Sequence, residues 1–170
     1  GVGGAGRPIS DHTRGARSDP LDRSLAFCKH YRMHIFMNIP AADLARSRAF
    51  YEGIGWSINE SFSDENAICV VMEQDKFLMV LRRDFYQGFL PEGKQVGDPA
   101  TTSLALVSFD LPSREDVDAF VARAADAGGA AGAPKDLGFM YQHQFDDPDG
   151  NHFEPFWMDP VAAQSGPPAE

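Results

Sequence analysis

The sequence FMYQHQFDDPDGNHFEPFW, residues 139–157, decides the fold. Two runs in which polar and aromatic residues alternate flank the turn sequence Asp147-Pro148-Asp149-Gly150. Pro at the second position and Gly at the fourth are typical of a type I turn that leads into a β-bulge. The stretch therefore predicts a β-hairpin of two strands, 139–145 and 151–157, with Asp147 opposite Asn151.

This register gives the hairpin two different faces, because strand side chains alternate between the faces of a sheet. One face carries polar side chains together with one aromatic ring: Gln142, Gln144, His152, Glu154 and Phe156. The other face is mainly aromatic and is expected to pack against a helix. The polar face is either a solvated surface, as in many antiparallel sheets, or part of a small-molecule site. The aromatic residues that flank the closing strand favour the second interpretation.

The first half of the chain begins with a predicted strand, residues 33–39, which Pro40 is expected to end. A helix follows, with Asp43 at its N-cap. Its apolar and small residues recur at spacings of three and four and predict one buried face: Leu44, Ser47, Phe50, Tyr51 and Ile54. Three further strands are predicted at residues 56–62, 67–72 and 77–81.

The second half repeats this plan. Residues 103–109 predict a strand, and Ser113 with Asp116 resembles a capping box at the start of a helix. A weak strand is expected near Ala130, and the hairpin completes the half. Each half is therefore a strand–helix–strand–strand–strand (βαβββ) module, and the fold class is α+β.

The modules cover about residues 33–82 and 103–157, within a domain of residues 33–160. The linker, residues 83–102, is rich in Gly and Pro and predicts either a connector or a lid. Residues 1–32 are Gly- and Arg-rich without periodicity, which favours a disordered or cloning-derived extension. Residues 161–170 are expected to form a flexible tail.

Charge and cysteine content narrow the function. The 170 residues include 15 Lys and Arg against 25 Asp and Glu, for a net charge of −10. An acidic chain without a basic run is a poor nucleic-acid binder, and no apolar run approaches the roughly 18 residues of a transmembrane helix. Two cysteines, Cys28 and Cys69, do not make a disulfide framework. We expect a cytoplasmic protein that acts on a small molecule or on another protein.

Three segments in this order resemble the vicinal oxygen chelate superfamily, which includes glyoxalase I, bleomycin resistance proteins and extradiol dioxygenases. They are FMNIPAADLARSRAFYEGIGW (36–56), SREDVDAFVARAADAGG (113–129) and FMYQHQFDDPDGNHFEPFWMDP (139–160). The chain is most similar to the predicted lactoylglutathione lyase-like group of unassigned activity. The resemblance implies two βαβββ modules whose curled mixed sheets enclose a shared cavity.

The resemblance also implies where a metal would bind. Metal-using members take His, Glu or Gln ligands from the first and last strands of the modules. The matching first-strand positions here carry Phe36 and, in the second half, Leu106 or Ala105, so that Glu154 is the ligand type that remains. His152, with His34 as a further candidate, would make an atypical and incomplete site for Zn, Ni, Fe or Mn.

Three hypotheses for the function follow from these residues. The first is a metal-free ligand-binding protein without a cofactor, whose cavity is lined by His34, Phe36, Asn38, Leu106, Gln142, Gln144, His152 and Phe156. The alternative is a metal-dependent lyase, isomerase or dioxygenase, similar to glyoxalase I, with Glu154 as catalytic residue and Glu154 with His152 as metal ligands. A third hypothesis is a subunit without chemistry that mediates association. The resemblance implies a homodimer in each case.

Overall fold

A computed structural model describes residues 32–167 of the chain. The expected extension, residues 1–32, lies outside the described residues except for Arg32, and Cys28 lies outside them as well. The chain from His34 onward forms one compact unit, which contains both predicted modules. No helix among the described residues is both long and apolar enough to cross a membrane.

The first module consists of β1 (Ile35–Ala41), α1 (Leu44–Gly53), β2 (Ser57–Ile58), β3 (Ala67–Glu73) and β4 (Lys76–Arg82). Its sheet has the order β1-β4-β3-β2, with β1 parallel to β4 and the other pairs antiparallel. Asp43 caps α1, because its carboxylate accepts hydrogen bonds from the backbone N–H groups of Ala45 and Arg46. The predicted buried face of this helix is confirmed, with Ser47, Phe50 and Tyr51 almost fully covered.

The second module follows a segment that contains α2 (Arg83–Gln87). It consists of β5 (Leu106–Asp110), α3 (Arg114–Asp126), β6 (Ala130–Ala131), β7 (Lys135–Asp136), β8 (Met140–Gln142), β9 (Phe145–Asp146) and β10 (His152–Met158). The central strand is β10, which pairs with β5 in parallel and with β8 and β9 antiparallel. The outer strands β6 and β7 pair with β9 and β8 respectively. The helix cap at Ser113 is confirmed, since its hydroxyl accepts a hydrogen bond from the N–H of Asp116.

The predicted hairpin register is confirmed in both paired parts of the hairpin, on either side of His143 and Gln144. Asp146 lies opposite His152, Phe145 opposite Phe153, and Gln142 opposite Phe156. The backbone N–H of Asp147 donates to the carbonyl of Asn151, which closes the turn as expected. Gly150 adopts a φ of 92°, the left-handed conformation that the bulge after a type I turn requires.

Several predicted boundaries are wrong. Pro40 does not end the first strand but lies inside β1, where it is tolerated because β1 is an edge strand and needs no N–H on its outer side. The strand predicted at 56–62 is only Ser57–Ile58, since the Asn59 side chain accepts a hydrogen bond from the N–H of Ser61 and starts a short 3₁₀ helix, Glu60–Phe62.

Other differences lie in the second half and at its end. The strand predicted at 103–109 begins at Leu106, and β7 was not predicted. Helix α2 occupies the start of the predicted linker. A further short helix, α4 (Pro160–Ser165), occupies part of the segment expected as a tail, where Asp159 accepts hydrogen bonds from the N–H groups of Val161 and Ala162.

One buried polar cluster joins the two modules. The Oδ1 atom of Asp147 accepts hydrogen bonds from the N–H groups of Asp149 and Asn151, which hold the hairpin turn. Its Oδ2 atom accepts from the Tyr51 hydroxyl of α1 at 2.7 Å and from Asn151 Nδ2 at 2.9 Å. Asn151 Nδ2 also donates to the carbonyl oxygen of Pro40 in β1 at 3.1 Å. The turn of the second module is therefore anchored on the first.

An aromatic cluster surrounds this junction and forms part of a core that both modules share. Tyr51 stacks on Trp56, and Phe153 packs edge-on against both rings. Phe145 stacks on Phe153 at 5.0 Å between ring centres. Such contacts add to the free energy of burying each ring.

We expect Tyr51→Phe to lower the free energy of unfolding by about 2 kcal/mol at neutral pH, because a hydrogen bond to a buried carboxylate is lost without a change in packing. Urea unfolding measures this value. The control is Tyr86→Phe, which removes a hydroxyl from a partly exposed ring and should change stability by less than about 0.5 kcal/mol. Equal effects of the two substitutions would contradict the role given to Tyr51.

The same hydroxyl predicts a loss of stability in alkali. Burial, reinforced by the Asp147 carboxylate, raises the pKa of Tyr51 well above its ordinary value of about 10. The folded protein therefore keeps this proton where the unfolded chain loses it, so the stabilisation is complete below about pH 10 and declines as the pH rises further. We expect the stability difference between wild type and Tyr51→Phe to shrink above about pH 10, by up to ~1.4 kcal/mol per pH unit. A difference that stays constant in urea titrations at several alkaline pH values would refute this.

Candidate functional site

The candidate site lies on the open face of the second sheet. The side chains of β10 alternate between buried and half-buried positions. Phe153 and Pro155 are buried, whereas His152, Glu154 and Phe156 are only half-buried. The buried side chains face the core, and the half-buried ones share the opposite face with Gln142 and Gln144. The structure thus brings together the predicted polar residues of the hairpin on one surface.

A row of polar contacts crosses three neighbouring strands on this face. Asp146 Oδ1 lies 2.6 Å from His152 Nδ1, and His152 Nε2 lies 3.5 Å from Glu154 Oε1. The hydroxyl of Ser108 on β5 donates to Glu154 Oε2 at 3.2 Å. Asp146 thus orients the imidazole through Nδ1, and Nε2 remains directed toward Glu154. The side chains of His152 and Glu154 are 26% and 19% exposed, so both stay accessible from solvent.

Beside Glu154 the surface deepens into a groove of about 430 Å³. Its floor contains Gln142, Gln144 and Glu154, and one side is formed by the segment 133–135, called the groove wall below. His143 also contributes to the lining. The groove is open to solvent and predominantly polar, and its size is within the range of small-molecule sites.

Gly132 explains why the groove wall lies so close to the hairpin. Its N–H donates to the backbone carbonyl of Gln144 at 2.9 Å, and a Cβ at this position would overlap the Gln144 side chain. A residue with a side chain would push the wall or Gln144 away. The side chain of Gln144 therefore lies directly against Gly132, at the start of the wall.

The predicted residues of the first strand lie on a different sheet. His34 is 3.5 Å from Asp75, and Phe36 stacks on Phe77 at 4.8 Å between ring centres, although it remains 53% exposed. Asn38 is exposed on the same strand. Among the described residues, none of these three lines the groove beside Glu154.

Leu106 of β5 lies next to the polar row, because it pairs with His152 in the register of the parallel strands. Its side chain is 61% exposed. Phe156 pairs with Gln142 on one side and with Asp110 on the other. Both residues therefore extend the open face of the second sheet with apolar area.

Three residues of this surface are not among the candidate site residues predicted from the sequence: Ser108, Lys135 and Asp146. The predicted register places Asp146 opposite His152, which is the signal that could have identified it. Ser108 and Lys135 become neighbours of the site only through the pairing of β5 with β10 and of β7 with β8. No local sequence pattern indicates these two pairings.

The side chains that the structure describes do not fit a metal centre. Among the described residues, no three His, Cys, Asp or Glu side chains are arranged to hold a metal ion. His152 and Glu154 could supply two ligands, but His152 Nδ1 is occupied by Asp146, and the matching positions on β1 and β5 carry Phe36 and Leu106. Catalytic zinc sites use three protein ligands. The described chain by itself supplies an incomplete donor set.

Comparisons with solved structures identify the fold. A glyoxalase/bleomycin resistance protein/dioxygenase family enzyme from Burkholderia phytofirmans PsJN is 22% identical, with a TM-score of 0.58 over 72% of this chain and 96% of that one. TnmS3, an antibiotic binding protein from Streptomyces sp. CB03234, is 22% identical, with a TM-score of 0.53 over 76% and 98%. The fosfomycin resistance protein FosX from Mesorhizobium loti is 16% identical, with a TM-score of 0.55 over 79% and 98%.

The chain therefore has the fold of the glyoxalase, bleomycin resistance and dioxygenase proteins, as the resemblance to the vicinal oxygen chelate superfamily predicts. Within that class, residues 34–73 match the family model described as bleomycin resistance protein-like N-terminal. The match covers most of the first module. No curated protein matches the sequence significantly.

Proposed function

We propose that the protein binds a small organic molecule without a metal cofactor, and that the ligand lies in the groove beside Glu154. The observation that carries this proposal is the grouping of Gln142, Gln144 and Glu154 on the floor of a groove of about 430 Å³. The two amides supply donors and acceptors, and the carboxylate supplies a charged acceptor. A binding function is supported by the likeness to an antibiotic binding protein and by the family model that matches the first module.

The chemistry of the groove favours a ligand with hydrogen-bond donors. Ser108 already donates to one oxygen of Glu154, and the other oxygen lies at a longer distance, 3.5 Å, from His152. A ligand amine, amide or hydroxyl could approach that oxygen from the groove. Phe156 and Leu106 add partly exposed apolar area on the same face, as small-molecule sites usually do.

We also propose that the protein is a cytoplasmic homodimer. Exposed apolar side chains on the two strands at the sheet edges support association: Ile35 and Phe36 on β1, and Leu106 on β5. A second copy that covered these side chains would remove apolar area from water.

The binding proposal is tested by a thermal-shift screen of aromatic and cationic small molecules in the presence of a chelator. A ligand that binds only the folded state raises the melting temperature, by about 5 °C or more at a hundredfold excess over its Kd. We expect at least one hit with the wild type that Glu154→Gln weakens at least tenfold. Glu65→Gln, which neutralises an exposed carboxylate away from the groove, should bind like the wild type. A screen without hits, or hits that need added metal, would count against the proposal.

A second candidate function is an enzyme that moves a proton on the same ligand. The contact between Asp146 and His152 favours it, because a carboxylate that orients an imidazole is a common arrangement for a general base. His152 Nε2 or the Glu154 carboxylate would accept a proton from a carbon of the ligand next to a carbonyl group, which leaves an enolate, and would return the proton to the same or a neighbouring carbon.

Deuterium incorporation separates the two functions. When a ligand from the screen is incubated in D₂O with the wild type, an enzyme exchanges an acidic C–H, and NMR detects the loss of that signal. We expect His152→Gln to slow such exchange at least a hundredfold, in line with the usual contribution of a general base, while binding is retained. Exchange no faster than in buffer alone would contradict the enzyme function and favour the binding function.

A further inference from the structure

His143 lies between two groups that can only accept hydrogen bonds. Its Nδ1 atom is 3.2 Å from Asp118 Oδ1 on α3, and its Nε2 atom is 3.1 Å from the carbonyl oxygen of Gly132. A neutral imidazole has one N–H and one bare nitrogen, whereas an imidazolium has two N–H groups. Only the charged form can donate to both neighbours at once.

The position of His143 connects this protonation to the groove. The hairpin is interrupted at His143 and Gln144, between β8 and β9, and Gly132 bridges the interruption. The N–H of Gly132 binds the Gln144 carbonyl, and its own carbonyl faces His143. Gly132 directly precedes the groove wall, residues 133–135. Loss or gain of the hydrogen bond to the Gly132 carbonyl therefore affects how the groove wall is held.

We infer that His143 is a pH-sensitive clasp: its imidazolium form fastens the groove wall to α3 through Gly132 and Asp118, and its neutral form releases Gly132. When the proton leaves, the remaining N–H stays with the carboxylate, since charge-assisted hydrogen bonds are the stronger ones. The bare Nε2 then faces the Gly132 carbonyl, and two electron-rich atoms repel each other. Histidine is the side chain that changes charge between about pH 5 and pH 8.

The charged groups around His143 are consistent with such a clasp. Asp118 faces it from α3 and also accepts a hydrogen bond from the Tyr141 hydroxyl at 2.8 Å. Arg114 of the same helix lies over the Tyr141 ring and is paired with Asp136. Two further charged side chains line the same groove as His143: the positively charged Lys135 and the negatively charged Glu154. Asp118 is thus the charged group in direct contact with the imidazole.

The clasp is tested on the ligand-free protein, so its failure is distinct from a failure of the proposed binding function. Amide hydrogen exchange of Gly132 is measured between about pH 5 and about pH 9 and corrected for the intrinsic pH dependence of exchange. We expect its protection to fall about fivefold as His143 loses its proton, as the loss of one hydrogen bond predicts. The amide of Gly129, which donates to the Ala124 carbonyl at 2.9 Å, is the internal reference and should keep its protection.

Three variants complete the experiment. His143→Gln should give a Gly132 profile without a pH-dependent step, and His34→Gln, which alters an exposed histidine just before β1, should retain the wild-type profile. Asp118→Asn should abolish the step, because without a carboxylate at Nδ1 the single N–H of the neutral imidazole can stay on Nε2 and keep its bond to the Gly132 carbonyl; this variant also serves if His143→Gln does not fold. Gly132 protection that is independent of pH in the wild type, or a wild-type step in Asp118→Asn, would overturn the inference.

Discussion

The carboxylate of Asp147 is the group on which the rest of the structure depends. It is 97% buried, so its charge is desolvated, and burial raises its pKa even though four donors surround it. Two of these donors hold the hairpin turn, and the Tyr51 hydroxyl ties that turn to the first module. Removal of any donor would leave part of a buried carboxylate unsatisfied, which is costly. The Asp147 side chain therefore fixes both the register of the hairpin and the position of the hairpin against α1.

The register then determines the chemistry of the open face. Because strand side chains alternate, a shift of one residue would bury Glu154 and expose Phe153. Phe153 is fully buried against Phe145, so its packing also opposes that shift. A neighbouring carboxylate, Asp149, reinforces the seat of the turn by accepting hydrogen bonds from the N–H of Ala42 and from Arg46. The site is thus positioned by the hydrogen bonds of the turn and by the aromatic packing on the opposite face of the sheet.

Features that depend on local chemistry could be predicted from the sequence, and features that depend on distant strands could not. The turn at residues 147–150 and the helix caps at Asp43 and Ser113 are set by neighbouring residues, so the hairpin register and the helices follow from them. Pro40 inside β1 could not be predicted, because its tolerance depends on β1 being an edge strand. In the site, the alternation of strand side chains places Gln142, Gln144 and Glu154 together. Ser108 joins them only because β5 pairs in parallel with β10, and it is 46 residues from Glu154 along the chain.

The floor and the wall of the groove are held in different ways, and this difference bears on function. The floor belongs to β10 and its partners, whose other face is packed with stacked aromatic rings, so its side chains are presented from a rigid support. The wall links two short strands, β6 and β7. At its β6 end it is held through Gly132 by one backbone hydrogen bond and one histidine contact, and at its other end Lys135 pairs with Gln142 of β8. Segments with few buried contacts open at low free energy. Under the proposed function, Glu154 and the two glutamines present fixed hydrogen-bonding groups to the ligand, and the exposed wall is the part that adjusts to its width.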